Sequence, residues 1–236
     1  MAKKELDVRV YPIDEPKGST KAFASVAVND LIAIRGIRLV EGENGMFVTM
    51  PQSLDKKTEE YHDIAFPLNG DLRKAINNAV LDEYDFISSL PLDKRAYHKS
   101  DPDAANSIDP ADVKLDIRVY PLNEPKGSTK AFASVSVDDL IAIRGVRIVE
   151  GKNGLFTAMP QSQDKNGERH DIAFPLSGEL RKAINKAVID EFKSLDKSAE
   201  RKNSLGDRLA EGAERAARSA APRAAAAKSH GAGVLE

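Results

Sequence analysis

YPIDEPKGSTKAFASVAV, residues 11–28, decides the fold, because it returns at 120–137 as YPLNEPKGSTKAFASVSV. DLIAIRGIRLVEGENGMF at 30–47 returns in the same way at 139–156 as DLIAIRGVRIVEGKNGLF. Between residues 6–56 and 115–165, at a constant offset of 109, 39 of 51 positions are identical. Solenoid units are shorter and come in longer arrays, so two such copies are not a repeat array. Each copy runs to roughly 80 residues, enough for one small domain with a modest core. The chain reads as a duplicated domain, with copies expected at 5–89 and 114–195, a linker at 90–113 and an Ala/charged tail at 196–236.

Within a copy, Leu6–Ile13 alternates as a strand, Val8 and Val10 opposite Arg9 and Tyr11. EPKGST then reads as a turn, and Lys21–Val28 as the second strand of a hairpin. Leu31–Val40 is a third strand, and the isolated Gly36 inside it predicts a bulge or break. Asn44-Gly45 is a strong hairpin signal leading into Met46–Met50. A polar loop over 52–59 and a strand over Tyr61–Phe66 follow. Asn69 and Ser177 are N-caps, and Asp71 and Glu179 place acids in the first helical turns. Leu72, Ala75, Ile76, Ala79, Val80 and Tyr84 fall on one helical face. Leu180, Ala183, Ile184, Ala187, Val188 and Phe192 repeat that face in the second copy. The expected class is α+β: two small antiparallel sheets, each with a C-terminal helix packed on it.

Composition narrows the function. There is no cysteine, which removes disulfides, thiolate metal sites and cysteine nucleophiles. No segment has the apolar run of a signal peptide or a membrane span, so a cytoplasmic, membrane-free protein is expected. The net charge is −2, but residues 6–84 carry −4 and residues 115–193 carry +1. Either solvated surface has drifted, or the second copy is the better partner for a phosphate backbone. In the tail, SLGDRLAEGAERAARSA reads as a marginal helix that could dock a protein partner, and APRAAAAKSHGAGVLE as low complexity. The terminal Leu235-Glu236 has the look of a tag remnant and carries no functional weight.

EGENGMFVTMPQS at 41–53, with HDIAFPLNGDLRKAINNAV at 62–80, resembles the stage V sporulation protein G (SpoVG) family. The second copy offers EGKNGLFTAMPQS and HDIAFPLSGELRKAINKAV. LDVRVYPI and AFASVAV stand where that family's first two strands stand. The resemblance implies small sheet-plus-helix domains that associate as homodimers, hence an intrachain pseudo-dimer here. It also implies a bacterial regulator that binds DNA or RNA and influences septation, sporulation and gene expression. The family often carries adjacent basic residues just after Met-Pro-Ser, where this chain has Ser53-Leu54 and Ser162-Gln163. Basic charge comes slightly later, at Lys56 and Lys57 and at Lys165 and Arg169, with Asp55, Glu59 and Glu60 among the first set.

The candidate nucleic-acid-binding residues are therefore Lys56, Lys57, Arg73, Lys74, Lys165, Arg169, Arg181 and Lys182. Such a surface would hold phosphates without reading sequence. The competing reading is a solvated rim in a protein–protein interaction module or adaptor. Arg35, Arg38, Arg144 and Arg147 either line a groove between the copies, or pair with Glu41 and Glu150 or snorkel at a sheet edge. With no Trp and few Phe or Tyr, no aromatic platform for RNA is expected. His62-Asp63 and His170-Asp171 point to opposite strand faces and so make no catalytic dyad, and Asp63 is expected to bond backbone. EPKGSTK does not match a phosphate loop, and the four scattered His lack metal-ligand spacing. No enzyme activity and no cofactor are expected.

Overall fold

The computed structural model describes residues 5–55, 58–91, 112–164 and 166–197. In the first copy, β1 (Leu6–Pro12), β2 (Thr20–Val28), β3 (Ile32–Gly42) and β4 (Gly45–Thr49) form an antiparallel meander. β5 (Gln52–Leu54) and β6 (Tyr61–Asp63) pair as a separate ribbon. β7 (Ala65–Pro67) and α1 (Gly70–Ser89) complete the copy. The second copy repeats the order as β8 (Leu115–Lys126), β9 (Thr129–Val137), β10 (Ile141–Gly151), β11 (Gly154–Ala158), β12 (Gln161–Gln163), β13 (Arg169–Asp171) and β14 (Ala173–Pro175). Helix α2 begins at residue 178 and is described to 197.

The alternation read from the sequence is the alternation observed. In β2, Ala22, Ala24, Val26 and Val28 are buried, while Lys21, Phe23 and Ser25 face away from that core. The asparagine at 69 caps α1, its Oδ1 accepting from the Leu72 amide at 2.7 Å, and Ser177 Oγ does the same for Leu180 at 3.1 Å. Leu72, Ile76 and Val80 drive α1 into the core, as Leu180, Ile184 and Val188 drive α2. One polar helical residue has a task the pattern did not announce. Asn77 Oδ1 accepts from the Val48 amide at 3.2 Å, and Asn185 Oδ1 from the Thr157 amide at 2.8 Å. Each helix thereby satisfies a donor of the strand (β4 or β11) that ends its sheet.

Two expectations need correction. Gln52–Leu54 is not loop but strand, pairing with 61–63. Its three residues are all exposed, so no hydrophobic alternation marked it. The expected single strand Tyr61–Phe66 breaks at Ile64. Before the break the chain pairs with its own copy; after it, β7 pairs with β10 of the second copy, Ala65 opposite Ile143 and Pro67 opposite Ile141. Reciprocally, β14 pairs with β3, Ala173 opposite Ile34 and Pro175 opposite Ile32. Flanking amides extend both ladders: Arg35 N to Ile172 O and Arg144 N to Ile64 O, each 2.7 Å. The copies are thus a pseudo-dimer joined by exchanged strands. One apolar core runs through both, and both fall in one compact unit, Met1–Phe192.

A bulge makes the exchange possible. Gly36 (φ +74°) and Gly145 (φ +75°) sit where the β2–β3 and β9–β10 registers shift. On one edge, β3 pairs with β14 before the bulge and with β4 after it. Most of the linker, residues 92–111, and the tail beyond 197 lie outside the described residues, as do the expectations that fall on them.

Gly145→Ala should cost about 1–2 kcal/mol in urea unfolding, because a Cβ is disfavoured in left-handed backbone. Gly178→Ala, which meets open space at ordinary φ, should cost less than about 0.5 kcal/mol. Expressed as two separate chains cut within the linker, the copies should co-elute in size exclusion as a one-to-one complex. Independent elution would mean that the exchanged ladders do not hold the copies together.

Candidate nucleic-acid interface

The two ribbons, β5–β6 and β12–β13, stand beside the exchanged strands. The root of each is tied to its helix. Asp63 accepts from Gln52 Nε2 at 3.0 Å and from Arg73 Nη2 at 3.3 Å. Asp171 accepts from Gln161 Nε2 at 2.9 Å and lies 3.7 Å from Arg181 Nη2. The carboxylate expected to bond backbone therefore bonds side chains instead. Two of the candidate phosphate ligands, Arg73 and Arg181, are engaged with acids. These are partly exposed pairs of modest strength.

At the tip of the second ribbon, Asp164 Oδ1 accepts from the amides of Asn166 (2.9 Å) and Glu168 (2.8 Å). The Glu168 amide is the main cause holding the Asp164 carboxyl below its ordinary value, with His170, 3.3 Å from Oδ2, adding to it. Asp164, Glu168 and His170 bring ligand-type atoms within 4.8 Å of one another, a proximity that the scattered histidines of the sequence did not suggest. Asp164 Oδ1 already closes the turn, accepting from both amides.

Between the ribbons lies a groove of about 470 Å³. Ser53 and Ile64 of the first copy line it together with Phe132, Arg144, Arg147 and Arg169 of the second. No carboxylate lines it, and among the described residues no acid lies within ion-pair distance of these three arginines. Glu41 and Glu150, the expected partners, are taken by Lys21 (2.7 Å) and Lys130 (2.6 Å). The guanidinium of Arg144 stacks on Phe66 of the exchanged β7, and that of Arg35 on Phe174 of β14, each 4.7 Å from the ring centroid. Of the two readings of these arginines, the groove between the copies is the one observed for Arg144 and Arg147.

Of the sequence candidates, Arg169 enters the groove. Lys74 and Lys182 are exposed one turn into α1 and α2, and Lys56, Lys57 and Lys165 lie outside the described residues. Arg144 and Arg147 were not among the candidates. Their signal was a bulge glycine flanked by arginines in both copies.

The Asp164 turn gives a pH prediction. A carboxyl held below its ordinary value contributes stability above the usual carboxylate range and loses it as the pH falls through the lowered value. The Asn166 and Glu168 amide NMR shifts should therefore titrate together, with a midpoint below that of a free Asp side chain. Asp164→Asn should abolish that titration.

Among the described residues, no helix is long and apolar enough to cross a membrane. The SpoVG family model matches this chain twice, at residues 3–86 and 113–194. A putative septation protein SpoVG from Caldanaerobacter subterraneus is 39% identical over 77 residues, covering 33% of this chain and 84% of that protein. That of Caldicellulosiruptor saccharolyticus is 36% identical over 85 residues, covering 36% and 96%. That of Desulforudis audaxviator is 43% identical over 70 residues, covering 30% and 80%. Each relative thus corresponds to about one copy. With both copies matched and strand-exchanged, the chain belongs to the SpoVG family, as a tandem duplication.

Proposed function

We propose that this protein is a non-enzymatic, nucleic-acid-binding regulator that holds phosphate backbone at the junction of its two copies. The observation that carries this reading is the groove where Arg144, Arg147 and Arg169 converge without a lining carboxylate. Unpaired guanidinium groups on a concave surface are suited to phosphate oxygens, which they bind by charge and by paired N–H donors. Lys165 and Lys182 and, in the first copy, Lys56, Lys57 and Lys74 would add positive charge to the contact. Arg73 and Arg181 would join it by releasing Asp63 and Asp171. The names of the relatives support a role in septation.

A second reading has its own support. In the first ribbon, Leu54 and Tyr61 are cross-strand partners, 45% and 66% exposed. In the second ribbon the same places hold Gln163 and Arg169. An exposed apolar pair suits a protein partner better than a phosphate, so an adaptor role for the first ribbon is the alternative.

Fluorescence anisotropy with labelled oligonucleotides across a salt series tests the proposal. Affinity should fall as salt rises. Neutralising Arg144, Arg147 and Arg169 to Gln should flatten the log–log slope by roughly 0.7–0.9 for each phosphate no longer neutralised. Absence of binding at low salt would retire this reading in favour of the adaptor.

A further inference from the structure

The aromatic residues are few in the sequence, yet strand register gathers them. Tyr120 on β8 stands opposite Phe132 on β9, Phe132 opposite Arg147 on β10, and Arg147 opposite Ala158 on β11. Cross-strand partners share a face, so these four form one row across the sheet. It is the face turned away from the core, because Ala131 and Ala133 on either side of Phe132 are buried. Tyr120 is 53% exposed and Phe132 39%. Phe156, two residues along β11 from Ala158, lies on the same face and is 45% exposed. The row meets the groove at its middle: Phe132 and Arg147 belong to both.

The geometry points to a base-stacking platform on the second copy, where single-stranded nucleic acid lays its bases on Tyr120 and Phe132 and its phosphates along Arg147, Arg144 and Arg169. This inference rests on the nucleic-acid reading above and adds to it the ligand's class and a second set of residues. Adjacent exposed rings on a sheet, bordered by cations, are the arrangement that binds unpaired bases, since every base has a π face. Duplex DNA keeps its base faces stacked inside the helix and could reach only the arginines. A protein ligand is disfavoured because the apolar rings adjoin three cations that have no acidic partner among the described residues.

The first copy has the same row, with Tyr11, Phe23, Arg38 and Thr49. Its ribbon, however, carries Tyr61 where the second has Arg169, so the cationic border is weaker there. The second copy is therefore the principal platform.

The test compares the intact protein with Tyr120→Leu and Phe132→Leu, which keep an apolar side chain but remove the π face, and with Tyr120→Phe, which keeps it. Thermal melting establishes that each variant folds. The probes are labelled oligo-U, oligo-dT, an abasic oligomer of the same length and a duplex, each about a dozen nucleotides long. Wild-type protein should bind both base-bearing single strands more tightly than the abasic oligomer. Each Leu variant should lose roughly 5- to 150-fold on the single strands, with abasic and duplex affinities unchanged, and Tyr120→Phe should bind like wild type. Equal affinity for abasic and base-bearing strands, or unaltered binding by the Leu variants, would overturn the platform while leaving phosphate binding intact. No binding to any probe at low salt would overturn both. Self-association in sedimentation that Tyr120→Leu abolishes would assign the face to a second copy of the chain instead.

Discussion

Backbone pairing between the copies is the constraint on which the rest of the structure depends. β3 and β10 are eleven residues long, and β4 and β11 are only five, so each short partner leaves part of an edge unpaired. An unpaired edge next to a core strand exposes donors and acceptors and invites non-specific pairing. The three-residue β7 and β14 fill those gaps, each donated by the opposite copy. The exchange also joins the two apolar clusters into one. For units of roughly 80 residues, whose separate cores are marginal, a shared core is a considerable gain. The bulge at Gly36 and Gly145 belongs to the same device, since it separates the segment that pairs with the exchanged strand from the segment that pairs with β4 or β11.

Much of this was legible because local and tertiary signals agreed. Asn69 and Ser177 announced the helices, the stripe of Leu72, Ile76 and Val80 announced their buried face, and a lone glycine announced the bulge. The break at Ile64 was not legible. Tyr61–Phe66 contains no glycine or proline to punctuate it, and nothing local says that its first half pairs with Gln52–Leu54 and its second with the other copy. Partner choice is a non-local property, and a periodic pattern carries only the orientation of side chains.

The interface shows the same division. Arginines flanking a glycine could be seen in the sequence, but their freedom from acids could not. That depended on Lys21 and Lys130 occupying Glu41 and Glu150. The aromatic row was hidden for a related reason. Tyr120 and Phe132 are twelve positions apart, and only the β8–β9 register makes them neighbours. A low aromatic content limits how many rings a face can hold, but it says nothing about whether they assemble.

Covalent fusion changes what the pseudo-twofold can do. In a homodimer every substitution appears on both sides of the axis, so the two ribbons must stay chemically alike. Within one chain they are free to diverge, and they have: Leu54 and Tyr61 on one side, Gln163 and Arg169 on the other. A ligand long enough to cross the axis therefore meets an apolar end and a cationic end. The duplicated chain has acquired a direction that two identical subunits, related by rotation, could not possess.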